Sequence, residues 1–121
     1  MTPELKALWL GALRSGEYQQ TTDTLKTANG GYCCLGVLCH VASKAGMLPP
    51  NITVVEDPDR LTFVTKDEGD WQKYRTHLPV GAFGLTEDVL NGCVDRNDGR
   101  RQDQLSFAAI ADYLEIAEDA S

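Results

Sequence analysis

"YCCLGVLCHVA", residues 32–42, is the stretch that decides the fold. At helical spacing Leu35, Leu38, Cys39, Ala42 and Ala45 form one stripe, Cys34, Val37 and Val41 widen it, and Gly46 ends it. A helix apolar around so much of its circumference has to be covered on several sides, so this one is expected to be the central, most buried helix. The same stretch carries three cysteines and His40. Whether they hold a metal, attack a substrate, form disulfides or fill a core is the first chemical question.

Upstream, "EYQQTTDTLKTANGGY" mixes β-branched and polar residues and ends in Asn29, Gly30 and Gly31, which predicts a short hairpin or an extended arm turning at the glycines. Before it, Thr2 and Pro3 suit an N-cap and first helical position. Leu5, Leu8, Trp9, Ala12 and Leu13 then recur at helical spacing until Gly16. Downstream, "ITVVEDPDRLTFVT", residues 52–65, reads as two short strands around a turn at Asp57, Pro58 and Asp59. Residues 66–84 include "DEGDWQKYRT", polar around Trp71, and read either as a segment ordered on its own or as a lid.

The last third is helical. Thr86 caps a helix carrying Val89, Leu90, Cys93 and Val94, and Asn97, Asp98 and Gly99 form a turn signal. Ser106 caps a final helix with Phe107, Ile110, Ala111 and Leu114 on its buried face, and residues 116–121 are expected to fray. Without repeats or linker-like shifts, residues 1–121 read as a single α+β domain, about four helices packed on a small antiparallel sheet.

At 121 residues, 42% hydrophobic and 24% charged, the chain can bury a real core without staples. No apolar run approaches the ~20 residues of a membrane span, and the start lacks a signal-peptide pattern, so the expected location is cytoplasmic, with reduced thiols and no membrane partner. Eleven Lys and Arg against eighteen Asp and Glu give a net charge of −7, which argues against direct, nonspecific nucleic-acid binding. Two local clusters still offer positive charge for a phosphate: Arg96, Arg100 and Arg101 in "DRNDGRR", and Lys66, Lys73 and Arg75 around "DEGDW".

Zinc sites use paired ligands at chelating spacing, whereas Cys33 and Cys34 are adjacent, as are Cys39 and His40, and helical neighbours point about 100° apart. A site built by the fold from Cys33 or Cys34 with Cys93 and His77 stays open, as does a Cys33–His77 nucleophile pair with Cys33 near a helix start. The favoured reading is that Cys33, Cys34, Cys39 and Cys93 are small core hydrophobes, with no metal and no cofactor. No P-loop, nucleophile elbow, zincin or dinucleotide motif is present.

Five blocks, Trp9 to Gln20, Tyr32 to Cys39, Leu78 to Leu85, Asn97 to Gly99 and Ser106 to Leu114, give the chain a resemblance to small accessory proteins encoded by bacteriophages and prophages. The segment "RNDGRRQDQLSF" is longer than that pattern leads one to expect. The resemblance implies a protein acting on host machinery in the bacterial cytoplasm and brings no particular reaction with it. The expectation is a non-enzymatic binder that antagonises host defence, either by sequestering a nucleotide-derived signal or by occluding a host defence protein. Ligand contacts would come from stacking on Tyr18 or Tyr32, from Gln20, Asn97 and Asp98, and from Arg96, Arg100 or Arg101 on phosphate. A homo-oligomer is expected by default. The alternative is a small hydrolase or transferase using Cys33 or carboxylates near Asp98.

Overall fold

The computed structural model describes residues 1–67, 69–100 and 103–117. Helix α1 runs Pro3–Arg14, and the Thr2 hydroxyl accepts the Leu5 N–H at 3.2 Å, so the expected cap and first-turn proline are in place. Its buried arc is Leu5, Trp9, Leu10 and Leu13. Leu8, expected in that stripe, is 45% exposed. The indole of Trp9 fixes the phase: it is fully buried and donates Nε1–H to the Cys34 carbonyl at 2.9 Å, which turns Leu8 outward and Leu10 inward.

The arm after α1 departs from a hairpin. Strands β1 (Gln19–Gln20) and β2 (Gly31–Tyr32) pair in parallel, and only the bridge between Lys26 and Tyr32 is antiparallel. A tight turn over residues 27–31, with Gly30 at φ +86°, reverses the chain near the expected glycines. Between the paired strands the arm dips to bury Leu25 completely, and that excursion brings β2 back in the same direction as β1.

Helix α2 (Cys34–Lys44) is the central helix, with Cys34 to Cys39 and Ala42 buried; Ala45, expected in its stripe, is its exposed C-cap. It packs on α1, on α3 (Glu87–Asp98) and on the sheet, while α4 (Phe107–Ile116) closes the other side of α1 and α3. The α4 stripe of Phe107, Ile110, Ala111 and Leu114 is buried as its spacing predicts. The turn expected at Asn97 and Asp98 begins later, because both residues belong to the last turn of α3. The chain leaves that helix at Gly99, φ +75°, and Asn97 faces inward at 1% exposure.

Strands β3 (Ile52–Asp57), β4 (Arg60–Asp67) and β5 (Asp70–Tyr74) form an antiparallel sheet in that order. The turn at residues 58–59 lies where Pro58 predicts it. Residues 70–74 of the suspected lid are instead an edge strand, in register with Phe63 to Asp67. Its polar composition follows from having one face and one edge in solvent. The fold is the expected α+β arrangement of four helices and a small antiparallel sheet, with the parallel β1–β2 pair added. Of the tail expected to fray, residues 116–121, Ile116 ends α4 and Ala117 caps it, its N–H donating to the Leu114 carbonyl at 3.3 Å, and 118–121 lie outside the described residues.

Candidate functional site

The alternation of β3 puts Ile52, Val54 and Glu56 on the core side. A carboxylate in that phase needs partners, because burying an unpaired charge is costly. Glu56 has three: Lys26 Nζ at 2.8 Å, the Tyr32 hydroxyl at 2.5 Å and His40 Nδ1 at 2.7 Å. Burial pushes the Glu56 carboxyl up, but hydrogen bonds from Lys26, Tyr32 and His40 outweigh it and hold it at about 2. Burial and the bond to Glu56 push the Tyr32 hydroxyl well above its ordinary value. Tyr18, Tyr32 and His40 meet edge to face, with ring centroids 5.4–5.6 Å apart. An open cleft of about 440 Å³ lies alongside, lined by Lys26, His40, Ser43, Lys44 and Glu56.

A carboxylate held so low is a poor base, and a tyrosine held so high is a poor acid at neutral pH. The cluster therefore serves as a clamp joining the arm, α2 and β3. Because the unfolded carboxyl titrates near 4.5 and the folded one near 2, its contribution is complete above pH 4.5 and is lost as pH falls towards 2. Glu56→Gln is expected to cost about 1–2 kcal/mol at neutral pH, towards the low end for charged hydrogen bonds because the carboxylate keeps some solvent contact. The gap between wild type and variant should close between pH 4.5 and 2. Urea denaturation across that range checks it, and a pH-independent gap would refute the clamp.

The other expected ligand residues divide into separate groups. The Asn97 Oδ1 accepts from Gln20 Nε2 at 3.0 Å and from the Cys34 N–H at 3.2 Å, and its Nδ2 donates to the Thr21 carbonyl and to Asp98 Oδ1, both at 2.8 Å. Asp98 also accepts the Asp23 N–H, and Arg100 pairs with Asp23 at 3.1 Å. The adjoining void is only about 10 Å³. Arg96 lies 3.7 Å over the Tyr113 ring and donates to the Gly92 carbonyl. Arg101 lies outside the described residues. So Tyr18 and Tyr32 come together, as do Gln20, Asn97, Asp98 and Arg100, but the second group spends these hydrogen bonds on the protein itself.

All four cysteines are free thiols and buried. The Cys33 sulfur caps α2 by accepting the Gly36 N–H at 3.3 Å, and burial pushes its thiol far up, the opposite of what a nucleophile needs. Cys34 and Cys93 are brought together, the Cys34 thiol donating to the Cys93 carbonyl at 3.6 Å. Hydrogen bonding to Cys93 and burial raise the Cys34 thiol as well. His77 pairs with Thr76 and with the Tyr74 ring. Among the described residues no group of three or more His, Cys, Asp or Glu converges as a metal-binding set.

A groove of about 860 Å³ opens between the start of α1, the α2–β3 connection, the inner face of the sheet and residues 79–84. Phe63, Tyr74 and Phe83 supply aromatic walls, Met47 and Ile52 aliphatic ones, and Asn51 and Thr65 polar groups. One wall is a tight turn with three left-handed residues, Gly81, Phe83 and Gly84; Phe83 at φ +56° is held there by burying its ring 5.7 Å from Phe63. Neither this groove nor Glu56 emerges from the sequence reading. The signal for Glu56 is present, since it occupies a core-facing phase of "ITVVED". The groove has none, because its lining comes from five separate stretches of the sequence.

Among the described residues no helix is long and apolar enough to cross a membrane. No curated protein and no solved structure matches the chain significantly. A family model described as a domain of unknown function, DUF8296, matches residues 1–118, and the chain belongs to that family.

Proposed function

We propose that this protein is a phage-type accessory protein of the bacterial cytoplasm that works by binding, antagonising host defence by holding a nucleotide-derived signal in the groove beside Phe63. The observation that carries the reading is the groove itself. Its volume of about 860 Å³ falls in the range of small-molecule clefts, and it sets the half-buried Tyr74, Met47 and Ile52 beside a few polar groups over a floor formed by the buried rings of Phe63 and Phe83, a mostly apolar lining with a few polar groups as small-molecule sites have. The internally bonded Gln20, Asn97 and Asp98 become the scaffold behind α2 rather than the ligand contacts. Hydrolysis through Cys33 is the weaker reading, because its sulfur is buried and already serves as a helix cap.

Val80 stands at the rim of the groove, 67% exposed, so a charge placed there should leave folding intact. Native mass spectrometry of wild-type protein purified from a bacterial host is expected to show a retained mass of nucleotide size and to report subunit number together with it. Val80→Glu should lose most of that mass while melting at the wild-type temperature. A nucleotide retained equally by the variant would remove the groove from the proposal. Loss of the retained mass in favour of a co-purifying host protein would replace signal capture with occlusion.

A further inference from the structure

The outer face of the sheet carries a second kind of chemistry. Cross-strand register places Thr53, Val55, Thr62, Val64, Lys66, Trp71 and Lys73 on one face, opposite to that of Val54, Phe63 and Tyr74. Arg60 lies on the same face of β4, and Arg75 joins it just beyond β5, its Nε donating to Thr62 Oγ1 at 3.3 Å. Arg60, Lys66, Lys73 and Arg75 are all exposed, as is Trp71 at 54%. Lys66 Nζ lies 5.9 Å from the Trp71 ring centroid. The acidic groups at hand are Asp57, across from Arg60, Asp59, whose carboxylate is 3.7 Å from the Arg60 guanidinium, and the register pair Asp67 and Asp70, which adjoins Lys66 and Trp71 at the end of the β4–β5 hairpin in the opposite strand phase. Four of the chain's eleven basic residues thus share one face of a protein with eighteen acidic residues.

We propose that this face binds single-stranded nucleic acid, with a base stacked on Trp71 and the phosphates tracked by Lys66, Lys73 and Arg75. Alternating residues of one strand are about 7 Å apart, so Trp71, Lys73 and Arg75 present contacts at intervals close to the phosphate spacing of an extended strand. Three strands make a strip about 10 Å across, wide enough for one polynucleotide chain. A duplex or an anionic bilayer is a broader polyanion and would also meet the acidic remainder of the surface. An exposed aromatic ring among cations is the combination that single-strand binding uses, stacking for affinity and cations for the backbone. Net charge averages over the whole surface and so does not reveal such a strip.

The test uses the full chain and a fluorescein-labelled oligothymidylate about twelve nucleotides long, read by anisotropy. Binding is expected to weaken between about 50 and 200 mM salt with a log–log slope of roughly −2, as three phosphate contacts to a single strand require. Trp71→Ala should raise Kd about tenfold or more. Lys73→Ala should raise it less and reduce the slope by about 0.7. Both substituted positions are exposed, and a urea midpoint read by far-UV circular dichroism reports that the fold is intact in each variant. Four outcomes would overturn the proposal: no binding at the lowest salt, unchanged affinity in Trp71→Ala and Lys73→Ala, equal affinity for the duplex of the same length, or binding only to phosphatidylserine vesicles.

Discussion

Gly36→Ala is expected to destabilise the protein by about 3 kcal/mol or more, although alanine is the better helix former by about 1 kcal/mol. A Cβ on Gly36 would lie 2.0 Å from the Leu25 carbonyl oxygen and 2.9 Å from its carbon. Both are backbone atoms. That oxygen accepts the Cys33 N–H at 3.2 Å, the Leu25 N–H donates to the Arg75 carbonyl at 2.9 Å, and the Leu25 side chain is wholly buried. Relief therefore requires α2 to separate from the arm, which would loosen the Leu25 seat and the end of the sheet together. Gly11→Ala supplies the contrast, since a Cβ added there, on the exposed side of α1, would meet nothing within 4 Å. That variant should gain about 0.5–1 kcal/mol. Urea midpoints of the two variants should move in opposite directions, and a Gly36→Ala protein as stable as wild type would show that α2 does not need its close approach to the arm.

The same glycine shows where the sequence is legible and where it is not. Periodicity identifies α2, α4, β3 and β4 because each satisfies its burial pattern locally: the α4 stripe needs no knowledge of its neighbours. Leu8 and Leu10 exchange places between sequence and structure because both fit a helical stripe, and the choice between them depends on where Trp9 finds a carbonyl on a different helix. The parallel pairing of β1 with β2 is hidden for a similar reason. Asn29, Gly30 and Gly31 do make a turn, but the burial of Leu25 between the strands is a tertiary event. Among site residues, the aromatic meeting of Tyr18 and Tyr32 and the joint use of Gln20, Asn97 and Asp98 can be grouped by type but not by role. Residue type cannot say whether a polar atom faces a ligand or the backbone of its own fold. Lys66, Lys73 and Arg75 are the opposite case: their clustering is visible in the sequence, and strand register converts it into one surface.

Asn97→Ala is expected to cost about 3–4 kcal/mol, close to the effect at Gly36 by an unrelated mechanism. Asn97 is 1% exposed at the end of α3, where an ordinary last-turn residue would face solvent or pack an apolar side chain. Its amide satisfies two acceptors and two donors on four residues: Thr21 and Gln20 in the arm, Cys34 at the start of α2, and its neighbour Asp98. Truncation strands the buried Cys34 N–H, one of the first-turn donors of α2 that has no partner within the helix. It also strands the Thr21 carbonyl and one Gln20 donor, although Gln20 keeps its bond to the Leu105 carbonyl at 2.9 Å. Asn97→Asp is the sharper probe. It preserves shape and acceptor but removes both donor hydrogens and sets a buried carboxylate against Asp98, so it should be at least as damaging as alanine at neutral pH and recover part of the loss as pH falls. Gln20→Ala removes one arm of the network and should cost only about 1 kcal/mol. Urea denaturation of the three variants tests the ranking. If Asn97→Ala fell within about 1 kcal/mol of wild type, the amide would not be the joint that fixes the arm against α2 and α3.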